Sequence, residues 1–282
     1  MLAQCGHTVS CLDRRPNLES MSSLGLEPIA GDIRDRELLC HIIPEHDGII
    51  HLAGLLGTSE LIDDPISAIN TNLIGSVNVF EGCKRAKRLG KQVPCIQISV
   101  GNHFMDNPYS ISRHSSERFA NMYNKEHGTD IRIVRGLNAY GEFQKAFPVR
   151  KIVPTFMRAA LRNEPLLVHG TVQQIMDMIY VGDLARVLIA TLKSESVDRE
   201  ISAGTGRRLT VNDIAAKIIS ETRSDSKVEY CPMRAGEPVN SVVLGEPETL
   251  LKVNVSPDSL MTFEEGIRRT AAWYSEHKGF LD

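Results

Sequence analysis

The stretch MLAQCGHTVSCLDRRP, Met1–Pro16, decides how the rest of the chain is read. Its first residues read as the last turn of a helix stopped by Gly6, and Thr8–Leu12 is a β-branched run that reads as a strand delivering Asp13 at its end. An acidic side chain there can accept hydrogen bonds from both hydroxyls of a ribose and repel a phosphate attached to them. An Asp after a strand is also an ordinary turn residue, and Arg14 and Arg15 beside it are the competing signal, since arginines would hold such a phosphate. A dinucleotide-binding sheet places a strand and a glycine-rich turn before such a helix, because glycines let backbone N–H groups approach a pyrophosphate. Met1–Pro16 contains neither. The expectation is a sheet whose first strand is missing, with Met1 an internal methionine of a longer reading frame; a chain that starts with a helix is the alternative.

Outward from this stretch, short apolar runs alternate with amphipathic stretches of helical length. Expected strands are Thr8–Leu12, Pro28–Ala30, Gly48–Leu52, Cys95–Val100, Ile131–Arg135 and Met178–Val181. Expected helices are Arg36–Ile43, Ile66–Arg88, Ser110–His127, Arg150–Arg162 and Gly182–Lys193. Such alternation predicts an α/β fold: a Rossmann-type, doubly wound parallel sheet that carries ligands at the carboxyl ends of its strands. After Gly141 the alternation loosens, Pro148 and Pro154 appear, and helices return at Val211–Glu221 and Phe263–Glu276. We therefore expect a nucleotide-binding domain over 1–146, with 177–193 packing back onto it, and a smaller substrate-binding domain over 147–282.

The 282 residues can hold a large domain and a smaller one sharing a cleft. Basic and acidic residues number 32 and 35, interspersed, for a net charge of -3, which gives no reason to expect nucleic acid or a membrane surface as partner. The six cysteines are scattered without a C-x-x-C pair and read as reduced thiols of a cytoplasmic protein, so the sequon at Asn254–Ser256 carries no weight. No apolar run reaches the ~18 residues a membrane span needs, and the nine histidines lack metal-ligand spacing, so no metal is expected.

Seven segments then occur in a telling order: GDIRD (Gly31–Asp35), HLAG (His51–Gly54), NTNLIGSVNVFEGCK (Asn70–Lys84), YSISR (Tyr109–Arg113), RGLNAYG (Arg135–Gly141), MDMIYVGDLA (Met176–Ala185) and RAGEP (Arg234–Pro238). Over essentially the whole chain the sequence resembles the NAD-dependent epimerase/dehydratase family of extended short-chain dehydrogenases, UDP-glucose 4-epimerase-like members most of all. The resemblance implies NAD as cofactor, held by Asp13, Arg14, Asp32 and Ile33 around the adenosine, by Leu52, Ala53, Gly54 and Asn72 along one wall, and by Ser99, Tyr109 and Arg113 towards the nicotinamide. It implies Tyr109 as catalytic base with Arg113 beside it, and a nucleoside-diphosphate sugar bound by Gly101, Asn102, His103, Asn138 and Arg234. It also implies a homodimer through Ile66–Arg88 and Ser110–His127, and a second-domain loop at Gly204 and Gly206.

Spacing supports the Tyr109–Arg113 pair, since positions i and i+4 share a helix face. A phenol of pKa near 10 must drop by about three units, roughly 4 kcal/mol, to act as a base near neutrality. A cation ~4 Å away at an effective dielectric of ~20 supplies about 4 kcal/mol. Three positions depart from the family. Arg113 replaces a Lys, and a guanidinium does not reproduce an ammonium's bonding. Gly101 stands where the family places a Ser or Thr that polarises the reacting oxygen, leaving Ser99, Asn102 or His103 as substitutes. Met176 stands where many members carry a phosphate-binding Arg, which shifts that task to Arg234. Asn102 and His103 also occupy the place of a dehydratase's acid/base carboxyls. The expected function is epimerisation, the alternatives being a dehydratase or oxidoreductase on this scaffold, or a silent nucleotide-binding relative.

Overall fold

A computed structural model describes residues 1–170, 173–195, 200–238 and 240–281. Five parallel-paired segments build the first layer: β1 (Val9–Asp13) on β2 (Leu26–Ala30), then β3 (Ile49–His51), β4 (Pro94–Val100) and β5 (Asp130–Gly136). They belong to two sheets. β1 pairs with β2 alone, β3 pairs with β4 alone, and among the described residues no strand lies between β1 and β3. Pro28 is tolerated in β2 because that strand is an edge, where a missing N–H breaks no ladder.

Alternation along β4 and β5 explains the layering. Cys95, Ile131 and Ile133 pack on one face with Val79, Phe80, Cys83, Ala120 and Tyr123, whereas Ile96 and Val134 pack on the other with Val187 and Leu188. The first face is covered by α4 (Gly75–Arg88) and α5 (Pro108–His127), the second by α7 (Val181–Lys193). α5 starts sharply because the Asn107 side chain accepts the Ser110 N–H and Pro108 takes the first turn; it stops at Gly128, whose φ is 63°.

The expected helix Ile66–Arg88 is three pieces: α3 (Pro65–Ala68), a π-helical turn Ile69–Ile74, and α4. Periodicity cannot reveal one widened turn. Sequence reading missed α1 (Leu18–Ser23), which is a short helix capped by Asn17. The helix expected over Arg150–Arg162 is α6 (Ile152–Leu161), preceded by Lys151 in extended conformation.

Beyond Gly136 lie β6 (Asn138–Tyr140), β7 (Leu166–His169), β8 (Ile175–Met176) and β9 (Met178–Tyr180), with β6 parallel to β9. β10 (Glu200–Ala203) returns to pair with β5, so the four-stranded sheet takes a strand from well past the segment expected to pack back. That strand is four residues long and follows a charged stretch, which hides it from pattern reading. The remaining elements are β11 (Leu209–Thr210), α8 (Val211–Thr222), β12 (Val228–Cys231), β13 (Val242–Val243) and α9 (Phe263–Glu276). Helices α6, α8 and α9 close a second core around Tyr140, Phe156, Met157, Ile214, Ile267 and Tyr274.

One buried carboxylate fastens the two cores. Asp177, fully buried, accepts hydrogen bonds from Thr205 N at 2.9 Å, Thr205 Oγ1 at 2.5 Å, Gly206 N at 2.7 Å and Gly245 N at 2.9 Å. Gly204 and Gly245 are glycines for the same reason: a Cβ on Gly204 would stand 2.6 Å from Asp177 Oδ2.

Candidate active site

The carboxyl ends of the parallel strands open onto two hollows. The smaller, of about 230 Å³, lies at the ends of β1, β2 and β3 and is lined by Asp13, Arg14, Asp32, Ile33, Arg34 and Leu52–Leu55. Its carboxylates are already engaged. Asp13 Oδ1 accepts the Arg15 N–H at 2.7 Å, and Arg34 clasps Asp32 through Nη2 at 2.6 Å and Nε at 3.1 Å. That clasp holds the Asp32 carboxyl below its ordinary range.

The wall of this hollow is built from β3 and the π-helical turn. Asn72, fully buried in that turn, donates from Nδ2 to Leu55 O at 3.1 Å and to Ser112 Oγ at 3.2 Å, and accepts the Leu55 N–H at 2.7 Å. Next to it, Arg113 is only 2% exposed. Its Nη2 donates to Ala53 O at 3.2 Å, and a Cβ on Gly54 would fall 1.9 Å from that nitrogen, so any larger residue there would have to displace the buried Arg113 guanidinium. His51, behind the wall, shares a hydrogen bond with Ser76 Oγ at 3.1 Å; burial, with a smaller push from the Arg113 charge, lowers its pKa to about 3.

The larger hollow, about 340 Å³, lies at the ends of β4, β5 and β6 under the start of α6. Ser99, Gly101, Asn102, Tyr109, Asn138, Lys151, Gln174, Arg234 and Glu237 are on its walls. It is continuous with a third hollow of about 260 Å³, which shares Arg150, Lys151, Gln174, Met176, Arg234 and Glu237 with it and runs on to Leu167–His169. Lys151, which pattern reading passed over, sets its Nζ 5.9 Å from the centre of the Tyr109 ring. Burial lowers the Lys151 pKa, Glu60 opposes this, and Arg234 adds to it. Arg234 is itself ion-paired with Glu237, whose Oε1 also accepts the Thr58 hydroxyl at 2.8 Å.

Each expected residue can now be located. Asp13, Arg14, Asp32, Ile33, Leu52, Ala53 and Gly54 gather at the smaller hollow, with Asn72 behind them. Ser99, Gly101, Asn102, Tyr109, Asn138 and Arg234 gather at the larger one. His103 is not on its wall: its ring stacks on His114 with centroids 5.2 Å apart. Leu137 occupies the space beside Gly101, where a Cβ would meet its Cδ1 at 2.3 Å. The electrostatic expectation for Tyr109 needs correction, because burial pushes its phenol up while the Arg113 charge pulls down less strongly. The sequence-level arithmetic counted attraction between charges and left out desolvation, which wins here. The only sequence signal for Lys151 was the Arg150–Lys151 pair ahead of the apolar helix start Ile152–Val153.

Two buried donors between the hollows lack partners, Arg113 Nε and Arg113 Nη1. A buried unmet guanidinium N–H is costly, and a ligand rich in hydroxyls threaded from the smaller hollow to the larger would meet it. The arrangement fits a dinucleotide: an adenosine-sized hollow with carboxylates, a glycine where the wall is tightest, and free donors at the far end.

Residues 1–204 match the NAD dependent epimerase/dehydratase family, and the chain belongs to it. A relative is the UDP-N-acetyl-alpha-D-glucosaminuronate decarboxylase of Bacillus cytotoxicus, 25% identical over 98% of this chain and 92% of its own. Among solved structures, UDP-glucose 4-epimerase of Thermotoga maritima with UDP-glucose has a TM-score of 0.88 at 23% identity, covering 98% of this chain and 94% of that one. The Thermus thermophilus UDP-glucose 4-epimerase complex with NAD has a TM-score of 0.86 at 23% identity, covering 97% of this chain and 93% of that one. The Rossmann-type fold follows, and the chain is an NAD-dependent enzyme of the group that includes nucleotide-sugar epimerases, dehydratases and decarboxylases.

Proposed function

We propose that this enzyme epimerises the sugar of a nucleoside-diphosphate sugar through a transient keto-sugar, with Tyr109 as the base. The observation that carries the reading is the position of Tyr109 on the wall of the larger hollow, with the Lys151 ammonium over its ring and Arg113 one turn further along α5. NAD, when bound across the two hollows, supplies the acceptor and donor of hydride. The Tyr109 phenolate takes the proton of the sugar hydroxyl and returns it after the ring has turned over. Arg113, with two donors unpaired in the fold, would hold the cofactor's ribose, Lys151 and Arg234 would hold the diphosphate, and the 260 Å³ hollow would take the base. Neither Asn102, whose Nδ2 donates to the Met105 sulfur at 3.4 Å, nor His103, which stacks on His114 off the wall of the hollow, supplies a carboxyl for elimination, which favours epimerisation over dehydration.

Incubating the chain with NAD and UDP- or dTDP-sugars, and separating the isomers by chromatography, tests the proposal; binding of NAD without conversion of any sugar overturns it. A homodimer belongs to the same reading. Ile66, Ile69, Ile111, Phe119 and Met122 are exposed along α3, the π-helical turn and α5, elements packed side by side, and a second copy placed there would cover them. So does a cytoplasmic location, which the free state of all six cysteines supports. No described helix is long and apolar enough to cross a membrane.

A further inference from the structure

Two cations face the place where the larger hollow runs into its neighbour, and they are committed differently. The Lys151 ammonium lies over the Tyr109 ring with no carboxylate in ion-pair range among the described residues. Arg234 is ion-paired with Glu237, three residues along the same loop, and both side chains line both hollows. The protein's own carboxylate thus sits where a bound anion would need the guanidinium.

Glu237 is held there from outside its own loop. Thr58 Oγ1 donates to Glu237 Oε1 at 2.8 Å, and the same oxygen accepts from the Arg234 guanidinium. The backbone around it is fastened as well: Ser59 Oγ donates to Ala235 O at 2.7 Å, and Asn107 Nδ2 donates to Gly236 O at 3.3 Å. Gly236, at a φ of 75°, lies so close that a Cβ would stand 2.8 Å from Ile62 Cδ1 and 3.0 Å from Thr58 O. Only the side chains are left to move. Those of Arg234 and Glu237 are 26% and 20% exposed, so solvent weakens the pair enough for a diphosphate to break it. A displaced Glu237 carboxylate keeps the Thr58 hydroxyl as its donor and is not stranded.

We propose that Glu237 is a built-in competitor for the diphosphate, holding Arg234 until the ligand takes its place and returning as the ligand leaves. The inference rests on the nucleotide-sugar reading and adds a control on how tightly that site grips. A ligand that needs Arg234 free is weakened by the fraction of chains in which the pair is open, so a pair closed about nine times in ten costs about tenfold in affinity. Glu237→Gln keeps the length of the side chain and an oxygen for Thr58 while removing the charge. Thr58→Val keeps its own shape and removes the hydroxyl that fixes the carboxylate on Arg234.

The test is calorimetric titration of the NAD-saturated chain with inorganic pyrophosphate, UDP, dTDP and uridine. Glu237→Gln should bind pyrophosphate, and at least one of the two nucleotides, about five- to tenfold more tightly than the unaltered chain, and Thr58→Val about twofold more tightly. Uridine, which carries no phosphate, should bind both variants as it binds the unaltered chain. Unchanged or weaker binding of pyrophosphate by Glu237→Gln overturns the inference alone, as does a gain for uridine equal to the gain for pyrophosphate. If Glu237→Gln does not fold, Thr58→Val decides, and unchanged affinity for pyrophosphate there overturns the inference. Failure of the unaltered chain and both variants to bind pyrophosphate or either nucleotide overturns the nucleotide-sugar reading and the inference with it.

Discussion

The two hollows at the ends of the strands differ in how their polar groups are committed. In the smaller one, Asp32 is clasped by Arg34 and Asp13 by its own turn, so the surface is complete before any ligand arrives. Beyond it, Arg113 Nε and Nη1 between the hollows are buried without partners, and at the larger one the Lys151 ammonium sits over an aromatic face with no carboxylate in ion-pair range among the described residues. Self-satisfied groups set shape. Unsatisfied groups store a demand that a ligand meets, so substitutions in the second region should alter chemistry and affinity far more than those in the first.

The sharpest test is Tyr109→Phe, which removes the proposed base and little else. We expect turnover to fall by roughly 10²–10⁴-fold with NAD affinity nearly unchanged; a loss under fivefold in steady-state kinetics would remove Tyr109 from the reaction. Asp177→Ala should be nearly as damaging to the fold, because four hydrogen bonds to one buried carboxylate are lost together. Chemical denaturation should report about 3–5 kcal/mol of lost stability.

Two pH effects follow, in opposite ranges. Since burial raises the Tyr109 phenol above its ordinary value, turnover should climb about tenfold per pH unit from neutrality towards pH 9. A flat profile would mean that another group, or a slow release step, governs the rate. On the acid side, His51 is held neutral in the fold with its pKa lowered from 6.5 to about 3 by burial first and the Arg113 charge second. The unfolded chain takes up the proton earlier, so the stability contributed by neutral His51 is complete above pH 6.5 and drains away as pH falls towards 3, by up to about 5 kcal/mol. Thermal melts of His51→Gln across that window should be flatter than those of the unaltered chain.

The smallest change is expected at Asp32→Asn. With Arg34 still able to hold the amide oxygen, NAD affinity measured by fluorescence titration should weaken only two- to threefold, on the order of 0.5 kcal/mol. A hundredfold loss there would erase the contrast between the hollows.

How much of this was legible beforehand follows the same physics. The buried strands β4 and β5 and helix α5 announced themselves, because Cys95–Val100 and Ile131–Arg135 are short runs rich in Ile and Val and Asn107, Pro108 and Gly128 punctuate the helix. β8, β11 and β13 are two residues each and exist only through tertiary pairing, which no local pattern encodes. Tyr109 and Arg113 were singled out through the motifs around them, whereas Lys151 and Leu137 were not. Their importance lies in what they face, across a gap in sequence that only the folded chain closes. Desolvation of Tyr109 was invisible for the same reason, being a property of surroundings and not of neighbours in sequence.

The widened turn at Ile69–Ile74 carries one more lesson. A π-helical turn holds one residue more than the α-helical turn it replaces, so deleting a single residue within it would leave a regular helix of nearly unchanged length and packing. That repair would rotate Asn72 by about 100° and swing its amide off Leu55. An apparent improvement in helical regularity would then disconnect the wall of the smaller hollow from the helix that braces it, leaving a well-folded protein with a loosened pocket.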